Sequence, residues 1–217
     1  KAEDADAVAT QLKTAGATVT GRVSLTTTWV DLSRENYRST FSGQIQGNLG
    51  GAGSKDANGI LGEGLAKALT GNDEASRALM DLLTVDTSGT PFVTVDSALT
   101  APAEMIVVVG PRPQAASAKG ATVGPSSGQD PKAWAKALTG TASRATTVVV
   151  GSADGDDNVV TVIRSESAKV TTVDSVGQVA ASVSTPLALA LVSTRAGTIG
   201  HYGFDKGADA VMPPVTK

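Results

Sequence analysis

Two short runs of consecutive β-branched residues most restrict the fold of this chain. Within residues 105–110 (MIVVVG) and 146–151 (TTVVVG), positions 106–109 and 148–150 are apolar without alternation, a pattern typical of strands in a parallel sheet that is covered on both faces. Between them, residues 130–140 show a helical pattern in which Asp130 can cap the N-terminus and Pro131 takes the first position. Parallel strands require crossover connections of this kind. The runs therefore predict an α/β fold.

The alternation of strands and helices continues on both sides of these runs, with further strands predicted at residues 91–95 and 169–173. It predicts a single α/β domain over residues 1–217, with a mainly parallel sheet of about four to five strands and helices on both faces, a Rossmann-like three-layer arrangement. Residues 111–129 are predicted to form a Pro/Gly/Ser-rich loop, and residues 196–217 an irregular C-terminal tail. The predicted buried strands are Val93–Val95, Ile106–Val109, Val148–Val150 and part of Thr171–Val173.

Composition excludes several classes of function. A net charge of −3 without any run of Lys or Arg argues against a nucleic-acid partner. The chain has no cysteine, which removes disulfides, thiolate metal ligands and Cys nucleophiles. The longest apolar run, Pro186–Val192, is far shorter than the roughly 18 residues of a membrane helix. Because a helical pattern starts at once after Lys1, we expect any signal or membrane anchor to lie upstream of this sequence.

Two motifs suggest chemistry but lack its requirements. GPSSG (124–128) fits the nucleophile-elbow pattern with Ser126, but that chemistry needs a strand-to-helix turn and a histidine base, and the motif lies inside the predicted loop. SADGDDN (152–158) offers Asp154, Asp156 and Asn158 for calcium, yet the Gly and Glu of an EF-hand loop are replaced by Val159 and Ser165. We interpret the first as a loop and the second as an acidic turn before a helix.

No phosphate-binding glycine motif occurs in the sequence. In an open parallel sheet, ligands bind beyond the C-terminal ends of the strands, so a ligand site, if the chain has one, would lie after Val109 or Val150. Arg112 is the cation nearest to that position in the sequence. We therefore predict no catalytic and no cofactor-binding residues, and we treat the chain as non-enzymatic; a hydrolase or nucleotide-binding enzyme on the same scaffold remains an open alternative.

The segment IGHYGFDKGADAVMPP (199–214) contains His201, the one histidine of the chain. On a helix, His201, Asp205 and Asp209 would share one face and could share a metal. Three glycines and two prolines within the segment make a helix improbable, so His201 is only a weak candidate ligand. We predict instead that Tyr202 and Phe204 anchor the tail on the sheet.

The chain as a whole resembles the exported domain of the mycobacterial copper transport protein B (MctB) family, actinobacterial copper transport proteins of the outer membrane. Three segments carry the resemblance: AGATVTGRVSLTTTWVD (15–31), VVVGSADG (148–155) and GHYGFDKGADAVMPP (200–214). The resemblance implies a location in the cell envelope, on the periplasmic side or in the outer membrane. It also implies a membrane-anchoring segment and an upstream coiled coil, both absent from this chain, with homo-oligomers formed through the coiled coil.

The resemblance implies a non-enzymatic role in copper efflux or copper homeostasis, with copper as a transported or bound ion and no other cofactor. Copper(I) prefers Cys and Met, and copper(II) prefers His. The sequence offers His201 and three methionines, Met80, Met105 and Met212, with no two of these close together in a metal-binding spacing. We expect Met80 and Met105 to belong to the core. The alternative is a structural or interaction domain of the envelope, on a coiled-coil stalk, with an indirect role in copper tolerance.

Overall fold

The computed structural model describes residues 2–26, 35–50, 53, 55–85, 91–110, 130–153, 155, 158–166, 169–194 and 198–214. This part of the chain contains helices and strands in mixed order. The helices are α1 (Ala2–Thr14), α2 (Glu35–Leu49), α3 (Ala57–Thr70), α4 (Glu74–Thr84), α5 (Pro131–Arg144), α6 (Val159–Ser165) and α7 (Val179–Thr194). The strands are β1 (Arg22–Leu25), β2 (Val93–Ser97), β3 (Met105–Val109), β4 (Thr146–Val150), β5 (Thr171–Val173) and β6 (His201–Tyr202).

The described residues group into two compact units. The first unit takes its residues from 2–19, 106–110 and 146–214, and the second from 20–105 and 130–145. That residues 1–217 fold as a single domain stays a prediction. None of the described helices combines the length and the apolar character that are needed to cross a bilayer.

The first unit is built on a parallel sheet with the strand order β3-β4-β5-β6. Val148 pairs with Thr171 and Val150 with Val173 in the β4–β5 ladder. Helix α7 packs against β4 and β5, α6 packs against β5, and α1 packs against α7. The predicted α/β class with a mainly parallel sheet is therefore confirmed.

Burial along these strands follows their place in the sheet. The valines of β4 and all three residues of β5 are buried, as the apolar runs predicted. In β3 only Ile106 is fully buried, and its three valines are half-buried. This difference arises because β3 is the first strand in the order, with a described neighbour on one side only.

The C-terminal segment is more regular than the sequence suggested. His201 and Tyr202 form β6, which pairs in parallel with β5 through Thr172 and Val173. A further parallel bridge joins Tyr202 to Ala210. The irregular tail predicted for residues 196–217 is thus corrected at its start, because contacts with β5 order a strand of two residues, too short to leave a pattern in the sequence.

The second unit is a helical cluster in which α3 packs closely against α5, with α2 and α4 at its sides. The close approach depends on glycine, because a Cβ on Gly62 or Gly140 would overlap backbone atoms of the facing helix. The Thr141 hydroxyl donates to the Gly62 carbonyl at 3.2 Å across this contact. At its edge, Arg144 Nη2 lies 3.1 Å from the buried carboxylate of Glu63.

Strand β2 differs from its prediction. Val93 was expected in the parallel sheet, but β2 pairs antiparallel with β1, with Val93 opposite Leu25 and Val95 opposite Val23. Val93 is fully buried, whereas Val95 is 45% exposed. The physical reason is that Val alternates with Thr and Asp here, and such alternation suits a partly exposed antiparallel pair better than a strand covered on both faces.

Candidate functional site

The C-terminal ends of the parallel strands are where a ligand site of this fold class would lie. Here the chain contacts itself: the Gly110 amide donates to the Val150 carbonyl at 2.7 Å, and the Gly151 amide donates to the Val173 carbonyl at 2.9 Å. Ligand crevices in open α/β sheets form where the strand order reverses. Along β3-β4-β5-β6, the strands described for this sheet, the order does not reverse, so they give no such crevice.

Directly after β5, Asp174 forms a buried ion pair with Arg164 of α6. Arg164 Nη1 lies 3.1 Å from Asp174 Oδ2, and the two side chains are 4% and 0% exposed. A buried pair of this kind is stable only when further hydrogen bonds satisfy both groups. Asp174 accepts from the Ser175 hydroxyl at 2.7 Å and from the amides of Phe204 and Asp205 at 2.9 and 3.0 Å.

The pKa of Asp174 reflects this set of partners. Burial raises the pKa, but hydrogen bonds from Ser175, Phe204, Asp205 and Arg164 outweigh burial and hold the pKa below the usual 3.8. The carboxylate is therefore charged at neutral pH. Its partners use its lone pairs, so it is not poised to act as a general base.

The ion pair holds the segment 203–209, which we call the C-terminal strap. The guanidinium of Arg164 donates to the carbonyls of Tyr202 and Lys206, each at 3.1 Å. Gly203 has φ 136°, and a Cβ there would overlap the Asp174 carboxylate. The strap thus approaches Asp174 at a position that only glycine fits. The ion pair binds the strap through main-chain atoms.

The sequence-predicted metal candidate His201 lies beside this pair, in β6. Its Nδ1 is 3.0 Å from the hydroxyl of Thr172, which also accepts from Arg164 Nε at 3.1 Å. Burial lowers the pKa of His201 below the usual 6.5; the charge of Asp209 raises it in part, and that of Arg164 lowers it further. The imidazole is therefore neutral at pH 7.

His201, Asp205 and Asp209, the residues of the hypothetical helical metal site, each make different contacts in the structure. Asp209 accepts from the backbone amide of His201 at 2.8 Å, and the amide of Asp205 donates to Asp174. The four-residue spacing has no helical meaning, because His201 is in a strand and the residues after it form turns. Among the described residues no group of three or more His, Cys, Asp or Glu side chains is arranged to hold a metal ion.

The methionines are spread over the described structure. Met80 lies in α4 and Met105 begins β3, both half-buried, while Met212 is 49% exposed. Of the two aromatic anchors predicted for the tail, Tyr202 is 5% exposed, in agreement with the prediction, but Phe204 is 62% exposed. The backbone amide of Phe204, by contrast, donates to the buried carboxylate of Asp174 at 2.9 Å.

Several sequence candidates lie outside the described residues: Ser126, Arg112, Asp154, Asp156 and the loop 111–129. The described part of the acidic turn shows Asn158 at the N-cap position of α6, with its side-chain amide directed to the Gly155 carbonyl at 3.5 Å. Val159 and Ser165, which occupy the EF-hand positions, are the first and last residues of α6.

Sequence reasoning missed Arg164, Thr172 and Asp174, the residues that organise this region. One signal was present in the sequence: Asp174 directly follows a buried strand, where a carboxylate needs a partner. The partner could not be assigned, because Arg164 is in the preceding helix and its direction depends on the fold.

Once the fold is known, a comparison with protein families identifies a match over residues 1–213 to the family described as copper transport outer membrane protein, MctB. The chain belongs to this family. The match covers both compact units and the C-terminal strap. The MctB description gives the chain a copper-related role in the cell envelope. A comparison with curated proteins gave no match.

Proposed function

We propose that this MctB chain is a non-enzymatic domain of an exported envelope protein that serves copper efflux or homeostasis without binding copper tightly itself. The observation that carries the proposal is the use of the C-terminal edge of β5, where a ligand would be expected, to hold the strap through Asp174 and Arg164. A region filled by the protein's own chain supports a structural role.

The chemistry of the charged groups supports the same conclusion. A general base or nucleophile needs a lone pair directed at a substrate. Asp174 accepts from a guanidinium, a hydroxyl and two amides, and His201 Nδ1 meets a buried hydroxyl. These contacts hold the side chains of Asp174 and His201 in place. They do not direct a lone pair of Asp174, or of His201 Nδ1, at a substrate.

The distribution of soft ligands supports weak copper affinity. Tight copper(I) sites combine two or more sulfur ligands, and copper(II) sites combine imidazoles. The chain has no cysteine and a single histidine. Met80 in α4 and Met105 at the start of β3 belong to the second unit, and Met212 belongs to the first.

Attachment to the membrane and assembly are part of the proposal. We expect the membrane contact to come from an N-terminal segment beyond these 217 residues, and homo-oligomers to form through a coiled coil in that segment. Neither depends on the residues described above. Both would be tested with the longer gene product by membrane fractionation and by analytical ultracentrifugation.

A second candidate is a structural or interaction domain of the envelope, with an indirect role in copper tolerance. It is favoured by large apolar side chains that the first unit exposes: Val179 is 79% exposed and Phe204 is 62% exposed. Large exposed apolar side chains of this kind are available for contact with a partner. Cross-linking in cells that compares wild type with Phe204→Ser would test this candidate, because loss of a specific cross-linked protein in the variant would favour it.

Titration of the purified chain with copper(I) and copper(II), against a chelator of known affinity, tests the main proposal. We expect wild type and His201→Ala to give the same weak response. A tight site that disappears in His201→Ala would contradict the proposal. In cells, deletion of the gene should lower copper tolerance, and the His201→Ala gene should restore it as well as wild type does. Failure of the wild-type gene to restore tolerance would also count against a copper role.

A further inference from the structure

The hydroxyl of Thr172 lies between the guanidinium of Arg164 and the ring of His201. Arg164 Nε is 3.1 Å from Thr172 Oγ1, and His201 Nδ1 is 3.0 Å from the same oxygen. Thr172 is fully buried, in the middle of β5. These two contacts are the hydrogen bonds of the Thr172 side chain within the described structure.

The direction of each hydrogen bond follows from the groups involved. A guanidinium has only donors, so Thr172 Oγ1 must accept from Arg164. The hydroxyl then has one proton of its own to donate, and Nδ1 of His201 is the acceptor within reach. Nδ1 can accept only if it carries no proton, which places the ring proton of a neutral histidine on Nε2.

We infer that Thr172, oriented by Arg164, holds His201 in the tautomer with the proton on Nε2, and that this arrangement keeps the ring from acting as a metal ligand. The opposite tautomer would direct two donors at Thr172 Oγ1 and leave the buried hydroxyl proton without an acceptor. A buried donor without a partner shifts an equilibrium by about tenfold or more. Thr172 is therefore a positioning residue for His201.

The consequence for copper binding follows from the positions of the ring proton of His201 and the hydroxyl proton of Thr172. A metal binds the ring nitrogen that has a free lone pair. In the inferred tautomer the lone pair of Nδ1 is used by Thr172, and Nε2 carries the proton. Ligation through Nε2 would move that proton to Nδ1 and break the contact with Thr172. Protonation of the ring would also place a proton on Nδ1 and break the same contact with Thr172.

The tautomer can be measured in the folded chain without copper. With one histidine in the sequence, long-range ¹⁵N–¹H correlation spectra contain a single imidazole. We expect the Nε2–H form to predominate by about tenfold or more in wild type. Thr172→Ser, which keeps the hydroxyl, should preserve this ratio, and Thr172→Val should reduce it. Thr185→Val, which removes a buried hydroxyl of α7 that donates to the Ala181 carbonyl, is the control and should leave the ratio unchanged.

Predominance of the Nδ1–H form in wild type would overturn the assignment, and so would equal ratios in wild type and Thr172→Val. If Thr172→Val does not fold, the wild-type and Thr172→Ser spectra still decide the direction of the hydrogen bond. The copper consequence rests on the proposed function. Thr172→Val should bind copper(II) about tenfold more tightly than wild type, and equal affinities would reject that consequence. Tight copper binding by wild type would contradict the proposed function. The tautomer would still be decided by the NMR spectra, which do not depend on copper.

Discussion

Arg164 and Asp174 form a 3.1 Å ion pair in which neither side chain is more than 4% exposed. The pair joins α6 to the end of β5 and, through main-chain groups of residues 202–206, fixes the C-terminal strap. Buried charges are stable only as long as each has its partners. The strap and the end of β5 should therefore lose their order together when either charge is removed.

The first prediction concerns the buried charge itself. Asp174→Asn removes the negative charge but keeps the shape, and leaves the guanidinium of Arg164 buried without a counter-ion. We expect the free energy of unfolding of the first unit to fall by about 3–5 kcal/mol, measured by urea denaturation.

A solvent-exposed ion pair provides the control for this variant. Lys136 Nζ lies 3.0 Å from Asp56, with side chains 53% and 39% exposed. Lys136→Gln should cost less than about 1 kcal/mol. Equal losses of unfolding free energy in Lys136→Gln and Asp174→Asn would show that burial does not increase the contribution of the Arg164–Asp174 pair to stability.

The second prediction concerns the dependence of stability on pH. The pKa of His201 is lowered from 6.5, so the unfolded chain binds more protons than the folded chain just below that pH. Stability from this source is present above 6.5 and is lost as the pH falls. We expect His201→Gln to remove the slope of unfolding free energy that wild type shows just below pH 6.5.

Asp174 contributes to the same curve at lower pH. Its pKa is held below 3.8 by its hydrogen bonds despite burial, so its contribution is present above 3.8 and is lost as acidification continues. Asp174→Asn should reduce the pH dependence of the unfolding free energy only below pH 3.8. A wild-type curve without any slope near pH 6 would contradict the assigned environment of His201.

The third prediction concerns the glycine at the start of the strap. In Gly203→Ala the new Cβ would overlap the carboxylate of Asp174, at a backbone φ of 136°. We expect a loss of about 1–3 kcal/mol and faster hydrogen exchange at the amides of Phe204 and Asp205, which donate to that carboxylate.

Gly16→Ala separates conformational strain from overlap in the same unit. Gly16 also has a positive φ, 91°, but a Cβ there would meet nothing within 4 Å. This variant should lose some stability and leave exchange at Phe204 and Asp205 unchanged. Protection of those amides in Gly203→Ala would contradict the proposed docking of the strap.

The fourth prediction concerns the second unit. In Gly140→Ala the added methyl would overlap backbone atoms of Gly59 in α3, and overpacking of this kind costs about 1–3 kcal/mol. Gly47→Ala on α2 is the control, since a Cβ there meets nothing within 4 Å, and it should stabilise the helix by up to about 1 kcal/mol. The comparison uses thermal unfolding. Similar unfolding temperatures for both variants would show that α3 and α5 are less closely packed than described.

The elements that were predicted from sequence are those whose signals are local. The apolar runs identified β3 and β4 because burial on both faces requires consecutive apolar residues. Asp130 was identified as a cap and accepts from the Lys132 amide at 2.9 Å.

The features that were missed depend on contacts distant in sequence. Strand β6 has two residues, so no periodicity could indicate it. Its order comes from pairing with β5 and from the Asp174 carboxylate, 30 residues away from Phe204 along the chain. A helix at His201 was rejected from the sequence because of its glycines and prolines, but the hydrogen bonds to Thr172 and Asp209, in a strand followed by turns, could not be foreseen.

The docking of the strap through main-chain atoms has a consequence for divergence among related chains. Every residue type except proline presents the same amide and carbonyl, so substitution by any of them at position 204 or 206 leaves the contacts with Asp174 and Arg164 unchanged in kind. Phe204 is 62% exposed and can be replaced without loss of the docked path. Position 203 has no such freedom. In related chains, the strap should therefore keep its path while its outward side chains drift, and each lineage could present a different surface on the same frame.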